Sequence, residues 1–267
     1  KVTRRHLIDR FLLRLHDIRQ RRVAWLVETK VRGDDARHCD LDRLEAAIDF
    51  AVESYGRLDV LVNNAGFGHF APFEQTDPGI FRAQIETNFF GVVYMTRAAL
   101  PVMRGQRAGY IFNISSMGGR ISFPGMAAYH ASKWAVSGFS ETIAREVSQF
   151  GIHCVAIEPG GMRTEWAHVA SSNTLELMED YAPSMGQMEE MLRSVAGKEA
   201  GDPDRIAAVL LDLTTRSDLP EHLLLGSDAF ELVRNSAENR RKVDAEWEAV
   251  TRSTDFADAD LSFVESL

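Results

Sequence analysis

The sequence predicts a single α/β domain built on a doubly wound, mostly parallel sheet, with an irregular N-terminal part. Three observations carry that expectation. Short, near-continuous apolar runs alternate with longer segments of helical periodicity. Each apolar run is followed by a stretch rich in Gly, Asn or Ser: NNAGFG at 63–68, SSMGG at 115–119 and PGG at 159–161. Of the 267 residues, 45% are apolar and 26% charged, enough to bury a sizeable core beneath an ordinary charged surface. Alternating strands and helices of this kind give parallel strands covered on both faces. Their strand-end loops gather on one edge, where ligands of open α/β sheets bind.

The elements follow in order. Leu44, Ile48 and Val52 recur at helical spacing, and Gly56 ends that helix. Leu58–Val62 reads as a strand running into Asn63-Asn64-Ala65-Gly66. Residues 78–104 read as one helix, Tyr110–Ile114 as a second strand, and 127–149 as a long helix closed by Gly151. Ile152–Ile157 is a third strand, stopped by Pro159-Gly160. Residues 204–215 are helical, Leu223–Leu225 is a short strand, and 228–250 is a charged helix around Leu232, Val243 and Trp247.

Charge and cysteine usage exclude several classes. A net charge of −9 argues against nucleic acid as a partner, because phosphate binding needs a basic face. No run of 18 apolar residues supports a membrane span, and no signal peptide can be read. Cys39 and Cys154 form neither a metal-ligand spacing nor a disulfide framework. Cys154, inside an apolar strand, reads as a buried thiol. A cytoplasmic protein fits these features.

Chemistry concentrates at one pair. Tyr129 and Lys133 stand four apart on a helix and so share a face. A free phenol, with a pKa near 10, is too weak an acid to serve as a base at neutral pH. An ammonium about 4 Å away, at an effective dielectric of about 20, is worth roughly 4 kcal/mol. That is about three pKa units, which brings the phenol toward the working range for proton transfer. Ser116 closes a strand 13 residues earlier, where its hydroxyl can donate to a substrate oxygen or merely cap a turn. Asn88 sits inside a helix that it suits poorly, so its amide is either used for a bond or turned to solvent.

Asn63-Asn64-Ala65-Gly66, Asn88, Ser116, Tyr129-x-x-x-Lys133, Pro159-Gly160 and Thr164 together resemble the short-chain dehydrogenase/reductase family in order and spacing. The resemblance covers roughly residues 41–267 and points to the short, single-domain branch. The strings Tyr129-His-Ala-Ser-Lys133 and Glu158-Pro-Gly-Gly-Met-Arg-Thr164 are most similar to members acting on retinoid- or steroid-like alcohols. It implies a Rossmann-like fold and an NADP or NAD cofactor, with a lean toward NADP. Tyr129 would be the general acid in reduction and the base in oxidation. Lys133 would lower the phenol pKa and hold the nicotinamide ribose, Ser116 would polarise the carbonyl, and Asn88 would hold a water linking Lys133 to solvent. Asn63, Ala65 and Gly66 would line the adenosine side of the cofactor. Pro159 would end its strand, Gly160 would let backbone approach the nicotinamide, and Thr164 would bond the carboxamide or a phosphate. Residues 161–200 would form a lid over the substrate. That lid carries Met162, Trp166, Leu175, Leu177, Met178, Tyr181, Met185, Met188 and Met191, which suits a bulky apolar alcohol or carbonyl. The same side chains could simply pack the lid onto the core. A homodimer or homotetramer is implied, through the helices after residues 88 and 128; no metal is.

Residues 1–40 depart from that pattern. They carry net charge +5 against −14 for the remainder, and hold one glycine, Gly33, of the 19. The family opens with a strand and a Thr-Gly-x-x-x-Gly-x-Gly turn, whose glycines let backbone approach the cofactor pyrophosphate. This chain begins Lys1-Val2-Thr3-Arg4-Arg5-His6-Leu7-Ile8-Asp9-Arg10 instead. Asp40 is the candidate for the acidic residue beside adenine. Three readings of the segment stand. It is a shifted reading frame, which an Arg-rich, Gly-poor stretch before a well-formed remainder favours. Or it is a genuine replacement, with Leu7, Ile8, Phe11, Leu12, Leu15 and Ile18 on one face of a basic amphipathic helix. Or Val23–Val27 is one surviving strand of the cofactor half. The alternative to an active oxidoreductase is therefore a catalytically impaired remnant or binding protein that takes up dinucleotide weakly or not at all.

Overall fold

The structure, a computed structural model, describes residues 41–164, 166 and 177–266. Asp40, the three readings of residues 1–40, and Leu175 lie outside the described residues. Helix α1 (Leu41–Tyr55) leads into strand β1 (Val60–Asn63). Helices α2 (Pro78–Ile85) and α3 (Gly91–Gln106) flank a π-helical turn and precede β2 (Gly109–Ile114). Helix α4 (Ala127–Val147) connects to β3 (Ile152–Pro159). Helices α5 (Ala182–Val195) and α6 (Pro203–Leu213) come before β4 (His222–Leu225), and α7 (Ser227–Glu246) and α8 (Glu248–Arg252) follow it. The described strands pair in parallel in the order β1-β2-β3-β4. Among the described residues the strands follow chain order, with no reversal. The architecture is a Rossmann-like α/β domain.

Strand alternation sorts the core into two layers. Leu61, Ile111 and Cys154 meet Leu44 and Ile48 of α1 and Met95, Ala99 and Met103 of α3 on one face. Val60, Val62, Phe112, Val155 and Ile157 meet Leu210 and Leu213 of α6 on the other. On the first face, polar residues replace apolar ones toward the carboxyl ends. Asn63 pairs in register with Asn113 and donates to its side-chain oxygen at 2.7 Å. Asn113 in turn donates to Ser140 Oγ of α4 at 2.9 Å. Cys154 is buried there, and burial pushes its thiol up to about 12.

Two helices are less continuous than their periodicity predicts. The single helix expected over 78–104 is interrupted by the π turn at Glu86–Phe90. That wider turn carries Asn88 inward, where its amide meets the backbone of Phe67. The tail helix breaks at Trp247, and Leu232, Val243 and Trp247 are exposed rather than packed. Helix α4 tightens into a 3-10 turn at Ser148–Phe150 and ends on Gly151 with φ +71°. A Cβ there would stand 2.6 Å from the carbonyl oxygen of Arg107.

Candidate active site

The carboxyl ends of β1 and β2 and the first turns of α4 converge on Tyr129. Ser116 follows β2 and caps the short turn 117–119, its Oγ accepting from the Gly118 amide at 3.0 Å. The turn lies against the phenol ring, where a Cβ on Gly118 would stand 3.2 Å from Tyr129 Cε1, and the Ser116 side chain pulls the phenol pKa down. Lys133 Nζ stands 5.8 Å from the Tyr129 ring centroid and donates to the Ile114 carbonyl at 2.7 Å. The turn rests directly on α4. A Cβ on Gly119 would lie 2.6 Å from Ser137 Oγ and 2.8 Å from the Lys133 carbonyl oxygen, so only glycine permits this approach.

Electrostatics here are set by burial. Lys133 is 5% exposed, and desolvation lowers its ammonium to about 8. The phenol of Tyr129 is pushed up to about 12 by the same cause, partly offset by the Ser116 side chain. The expected lowering of the phenol by the lysine is therefore not what the structure shows. The ammonium is directed at a backbone carbonyl, and both groups have lost water that would solvate their charged forms. At neutral pH the phenol holds its proton.

Asn88 is completely buried. Its Oδ1 accepts from the Phe67 amide at 3.0 Å, while Nδ2 donates to the Phe67 carbonyl at 3.0 Å and to Ser132 Oγ at 3.0 Å. Both amide hydrogens are thus taken by protein atoms. They pin the turn after β1 beside Lys133: a Cβ on Gly66 would stand 3.2 Å from Asn88 Oδ1 and 3.5 Å from Lys133 Nζ. Ala65 is half-buried in the same turn. Asn63 bonds beneath it, to Asn113 and Thr96.

The other expected positions stand along the next strand end. Pro159 pairs in register with Leu225, and the Gly160 amide donates to the Leu225 carbonyl at 2.9 Å. Thr164 Oγ1 accepts from the Trp166 amide at 3.3 Å, and the Trp166 ring lies 5.1 Å from that of Tyr129. Around them Phe70, Met126 and Met185 form an apolar cluster joined by Leu177, Tyr181 and Met188. Met178 and Met191 of the same stretch are exposed.

Several residues went unassigned in the sequence. Ser132 Oγ donates to the Tyr129 carbonyl at 2.7 Å. Ser115 Oγ donates to the Lys133 carbonyl at 3.0 Å and bonds Ser137 Oγ at 2.8 Å. Ser137 donates to the fully buried Glu158 at 3.0 Å. Glu158 also takes Arg120 at 2.7 Å and His222 Nδ1 at 2.8 Å. A glutamate at the end of an apolar strand was the available signal, since a buried carboxylate needs partners.

The site fits a nicotinamide ribose. Among the described residues, one acceptor, the Ile114 carbonyl, takes the buried ammonium, which has three donors. The remaining donors, on an ammonium 3.5 Å from where a Cβ on Gly66 would stand, suit a pair of sugar hydroxyls.

Comparisons with known proteins identify the family. The family model described as short chain dehydrogenase matches residues 16–174, a span that begins inside the basic segment. The oxidoreductase BOA17 of Botryotinia fuckeliana is 41% identical over 208 residues, covering 78% of this chain and 76% of that protein. A solved short-chain dehydrogenase from Streptomyces avermitilis is 36% identical with a TM-score of 0.72, over 81% of this chain and 79% of that one. The structure of an NAD+-bound xylitol dehydrogenase is 28% identical with a TM-score of 0.58, over 70% and 76%. The chain belongs to the short-chain dehydrogenase/reductase family of oxidoreductases.

Proposed function

We propose that the chain interconverts an apolar alcohol and its carbonyl with NADP or NAD, using Tyr129 as the proton-transferring group. The observation that carries this is the packing of the turn after Ser116 against the Tyr129 ring, one helical turn from a buried ammonium. When bound, the nicotinamide supplies the hydride. Lys133, Gly66 and the backbone after Pro159 are the groups that would hold it, and residues before 41 would have to hold its phosphates. In reduction, a substrate oxygen seated between Ser116 Oγ and the phenol receives the Tyr129 proton, and the serine hydroxyl stabilises the charge developing on that oxygen. A phenol raised to about 12 is protonated at neutral pH and therefore poised as an acid. Alcohol oxidation needs the reverse, so its rate is expected to climb as the pH rises.

The cluster of Phe70, Met126, Met185 and Trp166 supports an apolar substrate over a polyol such as the xylitol of the similar dehydrogenase. The similar structure with NAD+ and the sequence lean toward NADP make both cofactors worth measuring. Reduction of an apolar ketone should be measured with NADPH and with NADH. Tyr129→Phe is expected to lower kcat by about 100-fold or more. A Tyr129→Phe protein as fast as the parent overturns the proposal. A second reading, an impaired relative, rests on Gly33 being the one glycine before residue 41. Parent and variant equally inactive, with no nucleotide-induced fluorescence change, favour it.

A further inference from the structure

We propose that His130 is a positioning residue for this reaction: its neutral imidazole bridges Gly118 and Phe123 and so holds the Ser116 hydroxyl against the Tyr129 phenol. The inference rests on the roles given to Tyr129 and Ser116 above. His130 is the residue after Tyr129 and is 5% exposed. Its Nδ1 lies 3.0 Å from the Gly118 carbonyl oxygen, and its Nε2 lies 3.0 Å from the Phe123 amide. Those partners fix the tautomer. The Phe123 N–H can only donate, so Nε2 carries no hydrogen; the Gly118 carbonyl can only accept, so Nδ1 carries one. One ring therefore ties two points of the 117–126 segment to the first turn of α4.

That segment needs the tie. The N-cap of α4, Met126, has no side-chain capping bond. Gly118 is the residue whose amide donates to Ser116 Oγ, so anchoring its carbonyl also sets the serine. The Phe123 ring lies 5.8 Å from the imidazole and the Tyr129 ring 5.7 Å, in a tilted and an edge-on contact. Imidazole, phenol and serine thus move as one unit.

The bridge exists in one protonation state. A second ring proton at Nε2 would face the Phe123 N–H, donor against donor. Tyr129 is the titratable group packed against the ring. Lys133 on the same helix is directed to Ile114, and Arg120 in the segment is directed to Glu158. Burial holds the imidazole pKa below its ordinary value, with a smaller opposing pull from the Gly118 carbonyl. The clamp is therefore closed at neutral pH and opens on acidification.

The test compares the parent, His130→Leu, His130→Gln and Tyr129→Phe. Hydrogen exchange of the Phe123 amide is read without cofactor, and ketone reduction is read between about pH 5 and pH 8. In His130→Leu the amide is expected to lose protection and kcat to fall by up to about 100-fold, with KM for the cofactor unchanged. Glutamine can donate and accept in the same sense. His130→Gln is expected to restore protection and neutral-pH kcat, and to flatten the loss of kcat on the acid side. A His130→Leu protein with parental kcat and parental Phe123 protection overturns the proposal, as does a folded His130→Gln that keeps the parental acid limb. If His130→Leu does not fold, the pH profile of His130→Gln decides. If the parent is no faster than Tyr129→Phe, the reaction assignment has failed, and Phe123 exchange still decides the clamp.

Discussion

The two sides of Tyr129 are held by different forces. Toward the sheet lies a network of directed polar bonds: Asn88 to Phe67 and Ser132, Ser132 to the Tyr129 carbonyl, Ser115 to Ser137, and Ser137 to Glu158. On the other side the contacts are apolar and undirected, made by Trp166, Met126, Phe70 and Met185. Directed bonds fix atoms that must meet within a fraction of an ångström. Dispersive contacts with methionine tolerate substrates of different shape. Under the proposed function the first side would carry the chemistry and the second the choice of substrate.

The largest break in that comparison is expected from Lys133→Met. Removing a buried ammonium relieves a desolvation cost, so the melting temperature should hold or rise while activity falls by orders of magnitude. A variant that loses stability and activity in parallel would make the lysine structural. Next comes Glu158→Ala, which leaves Ser137 with Ser115 as its hydroxyl partner, strips the partly exposed Arg120 of its carboxylate and leaves His222 with Glu141 alone. A loss of about 3 kcal/mol in chemical denaturation is expected. The same experiment has a pH signature. His222 is raised above its ordinary value, chiefly by its hydrogen bond to Glu158. The stability it contributes is full below the unfolded imidazole pKa and fades as pH rises through the folded one. Parent minus Glu158→Ala should therefore shrink from pH 6 to pH 8, where imidazole titrates.

Met185→Ala sharpens the other side. Its side chain is 2% exposed, and truncation of a buried methionine costs about 2 kcal/mol or more. Because it joins α5 to Phe70 and Met126, KM for an apolar ketone should shift more than kcat. Equal changes in both would place Met185 in the chemistry. The smallest effect is expected at Arg252, whose pair with Glu248 is exposed on the tail. Arg252→Ala should leave the denaturation midpoint essentially unchanged.

Much of the polar side was legible in the sequence. Tyr129 and Lys133 are separated by one helical turn, and Ser116 follows an apolar strand by two residues, so local periodicity alone puts them on one sheet edge. What was hidden arises from packing between distant residues. Glu158 finds Arg120 across 38 positions and His222 across 64, and no local pattern announces either partner. The π turn at Glu86–Phe90 was hidden too, because its cause, the Phe67 backbone, lies some 20 positions earlier. The phenol's raised pKa was missed for a related reason. Helical spacing predicts nearness to the ammonium, whereas burial of both groups is a property of the whole fold.

The central claim is that Ser116 and Tyr129 act on one substrate oxygen as a unit. A double-mutant cycle on kcat for ketone reduction tests it most directly. Ser116→Ala, Tyr129→Phe and the double variant are expected to be slowed to similar extents, because removing either hydroxyl already disables the pair. Losses that multiply, with the double variant slower than either single one by the product of the two factors, would mean that the hydroxyls work independently and would contradict the account.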